Sequence, residues 1–438
     1  MIKMSMMKKI ISSIFLILMV VISQGQQQLP VFEAIQKALR NNYDIQLQAK
    51  DREVATIRNN WGTAGRYPSF SFSASSNNKA DFNETDDFNQ FQLVGGVSLN
   101  WTLFNGFKVN ITKSRLEDLE ELSEGNTAIL IEQTVQSVIM AYNSVLLEQK
   151  KLDVYTENVQ LSNDRLEYEK MRKDLGNAVS YEVLQAQNSY LADKSQAMLQ
   201  KANVKAAMRE LVYLMGEENI LYELTDDIEA DTVSYNNEEL LSVMLNRNKN
   251  LQNQYVAISL AEKETNLAKA NYYPTISLNA GGQVVDMNQN YNNGQDRSSL
   301  SSNVYGNLSL SYSIFNGGVR KRAVQIAKIE EEAAYIEQDE MELSLTNQLY
   351  QLLDFYEARK SMLKLADERL EVAQLNLDIS SQKLKAGTIN SFNYRDVQLT
   401  YQNAANAYFD ALYNLIDVQT SILRLTGQMV NEDGEFIR

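Results

Sequence analysis

The sequence predicts a mainly α protein carrying a membrane β component. A helix, a β-hairpin, a long helix and a returning helix form one unit, and the unit occurs twice. Three observations predict this. Tyr67-Pro68 followed by alternating Ser and Phe returns as Tyr273-Pro274 followed by Thr275-Ile276-Ser277-Leu278, and Phe104-Asn105-Gly106 returns as Phe315-Asn316-Gly317. After each Tyr-Pro the hydrophobic period changes from about 3.6 to 2. The 438 residues include only 3 Pro and 18 Gly, which favours long unbroken helices. Gly176 and Gly387 keep the offset of the Phe-Asn-Gly pair, as do Gly216 and Gly427, whereas the Tyr-Pro pair is more closely spaced, so the second hairpin is about five residues longer. Two copies of so long a unit indicate duplication, not a solenoid.

Composition narrows the function. The formal charge of −15 opposes a nucleic-acid partner, which needs clustered Lys and Arg. Cysteine and histidine are absent, which excludes thiol chemistry, Cys/His zinc sites and histidine base catalysis, along with lipid attachment through an N-terminal Cys. Carboxylates are left as candidate catalysts, but Glu330-Glu331-Glu332 lies on a charged helix and Asp86-Asp87 in a predicted loop. Neither has a pocket, so no enzyme activity and no cofactor is expected.

Lys3, Lys8 and Lys9 precede an apolar run from Ile10 to Ile22 that ends in Ser23, Gln24 and Gly25. This reads as a secretory leader, residues 1–25. Its about 13 apolar residues fall short of the roughly 20 that span a bilayer. The mature chain divides into a first repeat, 26–216, a connector, 217–237, a second repeat, 238–427, and a tail, 428–438.

Val31 to Arg66 and Glu238 to Tyr272 are each expected to be one helix, stopped by Pro68 and Pro274. Strands follow at about 67–79 and 91–104, and at 273–285 and 303–315. Phe70, Phe72 and Ala74 alternate with Ser69, Ser71 and Ser73, and Leu93, Val97, Leu99 and Trp101 with Gln92, Ser98, Asn100 and Thr102. Ile276 to Ala280 and Val304 to Ile314 repeat the pattern. A soluble sheet with one buried face would alternate too. Against it, the wet face is Ser, Thr, Asn and Gln with hardly a charge. Tyr67, Trp101, Phe104, Tyr272, Tyr273, Tyr312 and Phe315 gather at the helix-proximal ends as an interfacial girdle would. The tips Lys79 to Gln90 and Asp286 to Asn303 are long and rich in Asn, Asp and Ser.

Lys108 to Asp174 and Val319 to Lys385 read as long helices, each about 100 Å at 1.5 Å per residue. Gly125-Asn126 is a place where the first would loosen. The returning helices, about 181–215 and 391–426, show a 3.5-residue period, clear in Val397, Tyr401, Ala404, Tyr408, Ala411, Leu415, Val418, Ile422 and Leu425 and broken in the first copy by Asp193 and Gln200. An intramolecular coiled coil explains this period equally well. The acidic connector lacks a period and reads as short irregular structure.

A sheet in lipid must close on itself, because every backbone N–H and C=O needs a partner there. The smallest common barrels use about eight strands, so four per chain require at least two copies.

Leu29 to Asn42 (LPVFEAIQKALRNN), the Tyr-Pro strand openings, the Phe-Asn-Gly turns and the paired Leu175-Gly176-Asn177 and Ala386-Gly387-Thr388 turns together resemble the TolC-type outer membrane efflux family. The resemblance covers essentially the whole mature chain. It implies a homotrimer in which twelve strands form one barrel in outer-membrane lipid and twelve helical stretches form a periplasmic tunnel, an α-helical barrel. It also implies a periplasmic adaptor (membrane fusion) protein and an inner-membrane pump of the RND or ABC type. Leu175, Gly176, Asn177, Ala386, Gly387 and Thr388 then become adaptor-docking candidates. Many members of that family carry carboxylates six and nine residues after the second glycine, at the closed end of the tunnel. Here those places hold Asn393 and Asp396, with Glu182 and Gln185 in the first half. Arg395 would neutralise Asp396, or Asp396 would lie on an ordinary solvated helix face. The expected function is a passive exit duct for small molecules. A type I protein secretion duct and an exported coiled-coil structural or adhesion protein are the alternatives.

Overall fold

The computed structural model describes residues 27–81, 88–218, 222–230, 232–291, 294 and 296–429. The expected leader, the centre of the first hairpin tip and most of the tail lie outside these residues. In chain order, β1 (Gln27–Leu29) precedes α1 (Val31–Asn41), α2 (Tyr43–Arg58), β2 (Ser69–Asp81), β3 (Phe88–Phe104), α3 (Lys108–Asp174) and α4 (Ser180–Leu214). Then come β4 (Tyr222–Leu224), α5 (Asn237–Arg247), α6 (Lys249–Ala270), β5 (Thr275–Tyr291), β6 (Arg297–Ser311), α7 (Val319–Lys385) and α8 (Ser391–Leu425). Among the described residues no helix is long and apolar enough to cross a membrane. Two compact units result, each drawing on both sequence halves: Gln48–Thr127 with Lys249–Glu342, and the remainder, which includes Ala128–Asn248.

The first of these units holds an antiparallel sheet in the order β2-β3-β5-β6. Register puts Phe72, Val97, Gly282 and Val304 in one row and Ser71, Ser98, Gly281 and Tyr305 in the next. Because side chains alternate between faces, one face is oily and the other wet across all four strands. The oily face is bare: Phe70 and Phe72 are each 73% exposed and Val304 91%.

The strands differ in length from those expected. β5 runs on to Tyr291 and β6 starts at Arg297, inside the predicted second tip, while β2 and β3 likewise extend into the first. Backbone pairing does not need an oily face, and polar pairs such as Gln289 donating to Gln90 at 3.1 Å continue the ladder. β6 ends at Ser311, short of the expected 315, where Arg320 instead donates to the Ile314 carbonyl at 3.3 Å.

Each helix expected to precede a hairpin is two. The chain breaks at Asn42 (ψ 129°) and Asn248 (ψ 120°). The Asn42 side chain accepts from the Asp44 and Ile45 amides, starting α2 afresh, and donates to the Leu214 carbonyl at 3.0 Å. Asn248 donates to the Leu425 carbonyl at 2.8 Å in the same way. Gly216 and Gly427 now have a reason: both have positive φ, and a Cβ on either would run into the backbone carbonyl of Asn41 or Arg247. Gly125 does not loosen α3, which is continuous there; a Cβ would strike Asn253 of α6, so glycine permits the approach.

The other unit is built on Val135, Val138, Tyr142 and Val145 of α3, packed with Ala34, Ile35 and Ala38 of α1, Leu211 and Met215 at the end of α4, and Leu412 and Ile416 of α8. The connector, expected to be irregular, contributes β4, which pairs in parallel with β1. The buried Tyr142 hydroxyl donates to the Leu29 carbonyl (2.7 Å) and contacts the Asp226 carboxylate (2.8 Å). Burial, then that carboxylate, pushes its pKa up.

Candidate channel gate and docking turns

The two turns joining long and returning helices share one geometry. Gly176 (φ 77°) and Gly387 (φ 70°) lie just past the ends of α3 and α7. The Gly176 amide donates to the Lys173 carbonyl at 2.9 Å and the Asn177 amide to Arg172 at 2.7 Å; Gly387 to Leu384 (3.0 Å) and Thr388 to Lys383 (2.9 Å) repeat the pair. This is the Schellman closure of a helix. Nothing lies within 4 Å of a Cβ at either glycine, so conformation, not space, demands the residue. Gly387→Ala is expected to cost about 1 kcal/mol through its left-handed backbone, while Gly387→Asn costs less. Amide exchange over 380–390 in the detergent-solubilised protein checks this.

Local capping fixes the residues beyond each turn. Glu182 reaches back to the Val179 amide at 3.1 Å, and Asn390 accepts from the Asn393 amide at 2.8 Å. Arg172 donates to the Asn177 carbonyl (2.9 Å), and the Thr388 hydroxyl donates to that of Lys383 (3.1 Å). Ala386 continues the helical pattern, its amide donating to Gln382. Leu175, Val179, Tyr181, Leu184 and Phe392 are exposed apolar residues around these turns. Only Leu175 was expected; the signal for the others was an apolar residue beside a glycine turn.

Gln185, Asn393 and Asp396 are exposed and Glu182 is half-buried. Arg395 does not neutralise Asp396. It grips Asp193 of α4 with two 2.6 Å bonds, Nη1 to Oδ2 and Nη2 to Oδ1. Asp193 also accepts from Ser162 of α3, so one carboxylate ties three helices. Its side chain is 8% exposed and that of Arg395 17%. Beside them Arg165 is buried, donates to the Ser391 carbonyl at 3.4 Å, and has Nε and Nη2 without protein partners. Burial, then the Arg395 charge, pushes Arg165 down to about 10, so it stays charged at neutral pH. Arg172 pairs with the fully buried Glu169. Asp193, read in sequence as a flaw in the heptad, is the polar centre of this region.

A family profile described as outer membrane efflux protein matches residues 34–217 and 240–428, most of the chain. The chain belongs to the outer membrane efflux protein family. Among curated relatives, a probable efflux pump outer membrane protein of Pseudomonas putida, TtgC, is 21% identical over 410 residues, covering 90% of this chain and 82% of that one. Toxin and drug export protein A of Aggregatibacter actinomycetemcomitans is 21% identical over 394 residues, covering 89% and 84%. The fold is shared with solved structures. CusC superposes with TM-score 0.76 at 15% identity, over 91% of this chain and 92% of that one. The Campylobacter jejuni CmeC outer membrane channel gives 0.72 at 16% identity, over 91% and 85%. This efflux protein therefore resides in the outer membrane, and its four strands and long helices are the channel fold of that family.

Proposed function

We propose that three copies of this efflux protein close into one channel and that it works as a passive exit duct, with no chemical step of its own. The open sheet carries the reading. Its oily face is bare, its other face is wet, and among the described residues β2 and β6 have no strand on their outer edges. Strand directions alternate across the sheet, so the β6 edge of one copy would meet the β2 edge of the next antiparallel. Three copies give twelve strands and leave no edge, which lipid requires. Purified protein is expected to need detergent and to migrate as a heat-labile trimer. A water-soluble monomer would overturn the reading.

The Gly176 and Gly387 turns, with exposed Leu175, Asn177, Ala386 and Thr388 beside them, are the proposed dock for a periplasmic adaptor that links the duct to an RND- or ABC-type inner-membrane pump. The relatives' names include antibiotic and toluene efflux pumps, which favours small apolar or amphipathic cargo. One relative is named for toxin as well as drug export, so polypeptide export through the same duct is the second reading. Drug accumulation and polypeptide secretion, measured in cells lacking the gene, distinguish the two.

Asp396 is the proposed charge of the gate, with Asn393, Glu182 and Gln185 as its polar surroundings. Three copies of Asp396 around an axis would attract cations and resist closure by repulsion. Asp396→Ala is therefore expected to lower cation selectivity and block by divalent cations in planar bilayers. Unchanged selectivity would remove Asp396 from the gate.

A further inference from the structure

The chain is acidic overall, with 56 Asp and Glu against 41 Lys and Arg, yet where helices meet the sheet this balance reverses. Segments 59–69, 100–116, 265–278 and 306–328 contain nine Lys or Arg and no Asp or Glu. Lys113 and Arg115 pair with Glu117 and Glu264 further along the helices. The other seven, Arg66, Lys108, Lys269, Arg320, Lys321, Arg322 and Lys328, make no ion pair among the described residues.

Where these cations lie is unusual on electrostatic grounds. α3 begins at Lys108, and α7 carries Arg320, Lys321 and Arg322 in its first turn; neither helix has an acid there. A helix N-terminus is already a positive pole and ordinarily collects carboxylates. Both long helices instead add cations to it, an arrangement that a nearby anion would relieve.

The oily side of the sheet orients the cluster. Arg320 stacks over Tyr272 and Tyr312, 5.2 and 5.8 Å from the ring centroids. Tyr312, one residue beyond β6, continues the parity of Leu308 and Leu310 on the oily face, and Tyr272 lies in the turn that leads from α6 into β5. Arg66 stacks on Trp61 at 4.6 Å, and its carbonyl accepts from Trp101, a residue of the same oily face, at 3.0 Å. Lys321 and Arg322 are exposed. Arg320 donates to the Asn271 and Ile314 carbonyls and Arg322 to that of Gly317, so these guanidinium groups are held in place with no carboxylate to neutralise them. Aromatic rings at the end of an oily band with such cations beside them match the chemistry of a lipid headgroup region: acyl chains against the sheet, phosphates against the cations.

We propose that this helix-proximal collar binds the phosphate groups of anionic phospholipids in the periplasmic leaflet, fixing the depth at which the sheet sits. The proposal rests on the reading that the oily face meets lipid. The test is retention of phosphatidylglycerol against phosphatidylcholine by full-length protein in non-ionic detergent, followed by native mass spectrometry. Wild type is expected to prefer phosphatidylglycerol, and the preference is expected to fall as salt rises. The triple variant Arg320→Gln, Lys321→Gln, Arg322→Gln is expected to lose on the order of 100-fold of that preference at low salt, because each cation near an anionic surface contributes roughly fivefold. Lys201→Gln with Lys205→Gln, exposed cations of α4, is expected to leave it intact. Equal retention of the two lipids, a preference insensitive to salt, or a triple variant like wild type would overturn the collar. So would full competition by inorganic phosphate, which would indicate a site for a free anion. The salt series on wild type decides the matter even if the triple variant fails to assemble. Failure with detergent dependence intact removes the collar alone, whereas solubility without detergent removes the membrane reading as well.

Discussion

Replacing Arg395 with alanine is expected to cost about 3–5 kcal/mol of stability, because it strands a buried carboxylate. Asp193 would keep only the Ser162 hydroxyl, itself fully buried. Arg165 stands in the same cluster with two free N–H groups, but its reach is tied by the Ser391 carbonyl and its flank is occupied by Glu169. The pair itself is worth far less than its rupture costs, since taking both charges out of water offsets most of their attraction. The combination Asp193→Leu with Arg395→Met should therefore lie close to wild type, or above it. Asp396→Ala, one residue along and exposed, should stay within about 0.5 kcal/mol. Thermal unfolding midpoints in detergent for the four proteins check this. A single variant that unfolds like wild type would show that Asp193 is reached by water and is not a buried tie.

The two faces of the sheet and the glycine turns were legible because they are local, and the duplication because each copy carries the same short motifs in the same order. A period of 2 is visible within five residues, and a glycine after a heptad run announces a helix end. Arg395 and Asp193 are 202 residues apart and no local pattern joins them. The trace that did exist was Asp193 and Gln200 interrupting an apolar heptad. Both are buried and bonded, Gln200 to the Glu148 carbonyl and carboxylate, so the interruption marked a buried polar tie. The helix breaks had a fainter trace: Asn42 and Asn248 are spaced like the Tyr-Pro pair, but asparagine within a helical pattern reads as tolerable until the capping contacts are seen. β1 and β4, three residues each, are too short for any period to declare them.

Val97→Arg is expected to destabilise the membrane-inserted channel by about 2–4 kcal/mol, since Val97 faces outward in the middle of the oily band. The adjacent Ser98→Arg is expected to leave insertion nearly unchanged and to alter conductance. Ser98 pairs with Ser71, Oγ to Oγ at 2.9 Å, on the face assigned to the water path. Destabilisation by Val97→Arg alone would not separate lipid from protein, because a charge in any apolar core is costly. Depth separates them. Asn78 shares the outward face with Phe72 but lies six residues further along β2, about 20 Å at the rise of a strand, in a row with Phe91, Asn288 and Ser298. A bilayer is apolar only over a limited thickness, so Asn78→Arg should cost about 0–1 kcal/mol. Arginine at Phe72, Ala74, Ser76 and Asn78 in turn should give a cost that declines smoothly outward, read as the fraction of heat-labile trimer in reconstituted vesicles. A protein core would give costs that follow each residue's packing neighbours, with no dependence on depth. A flat or irregular profile would therefore place this face against protein, and the four strands would no longer need companions from other copies.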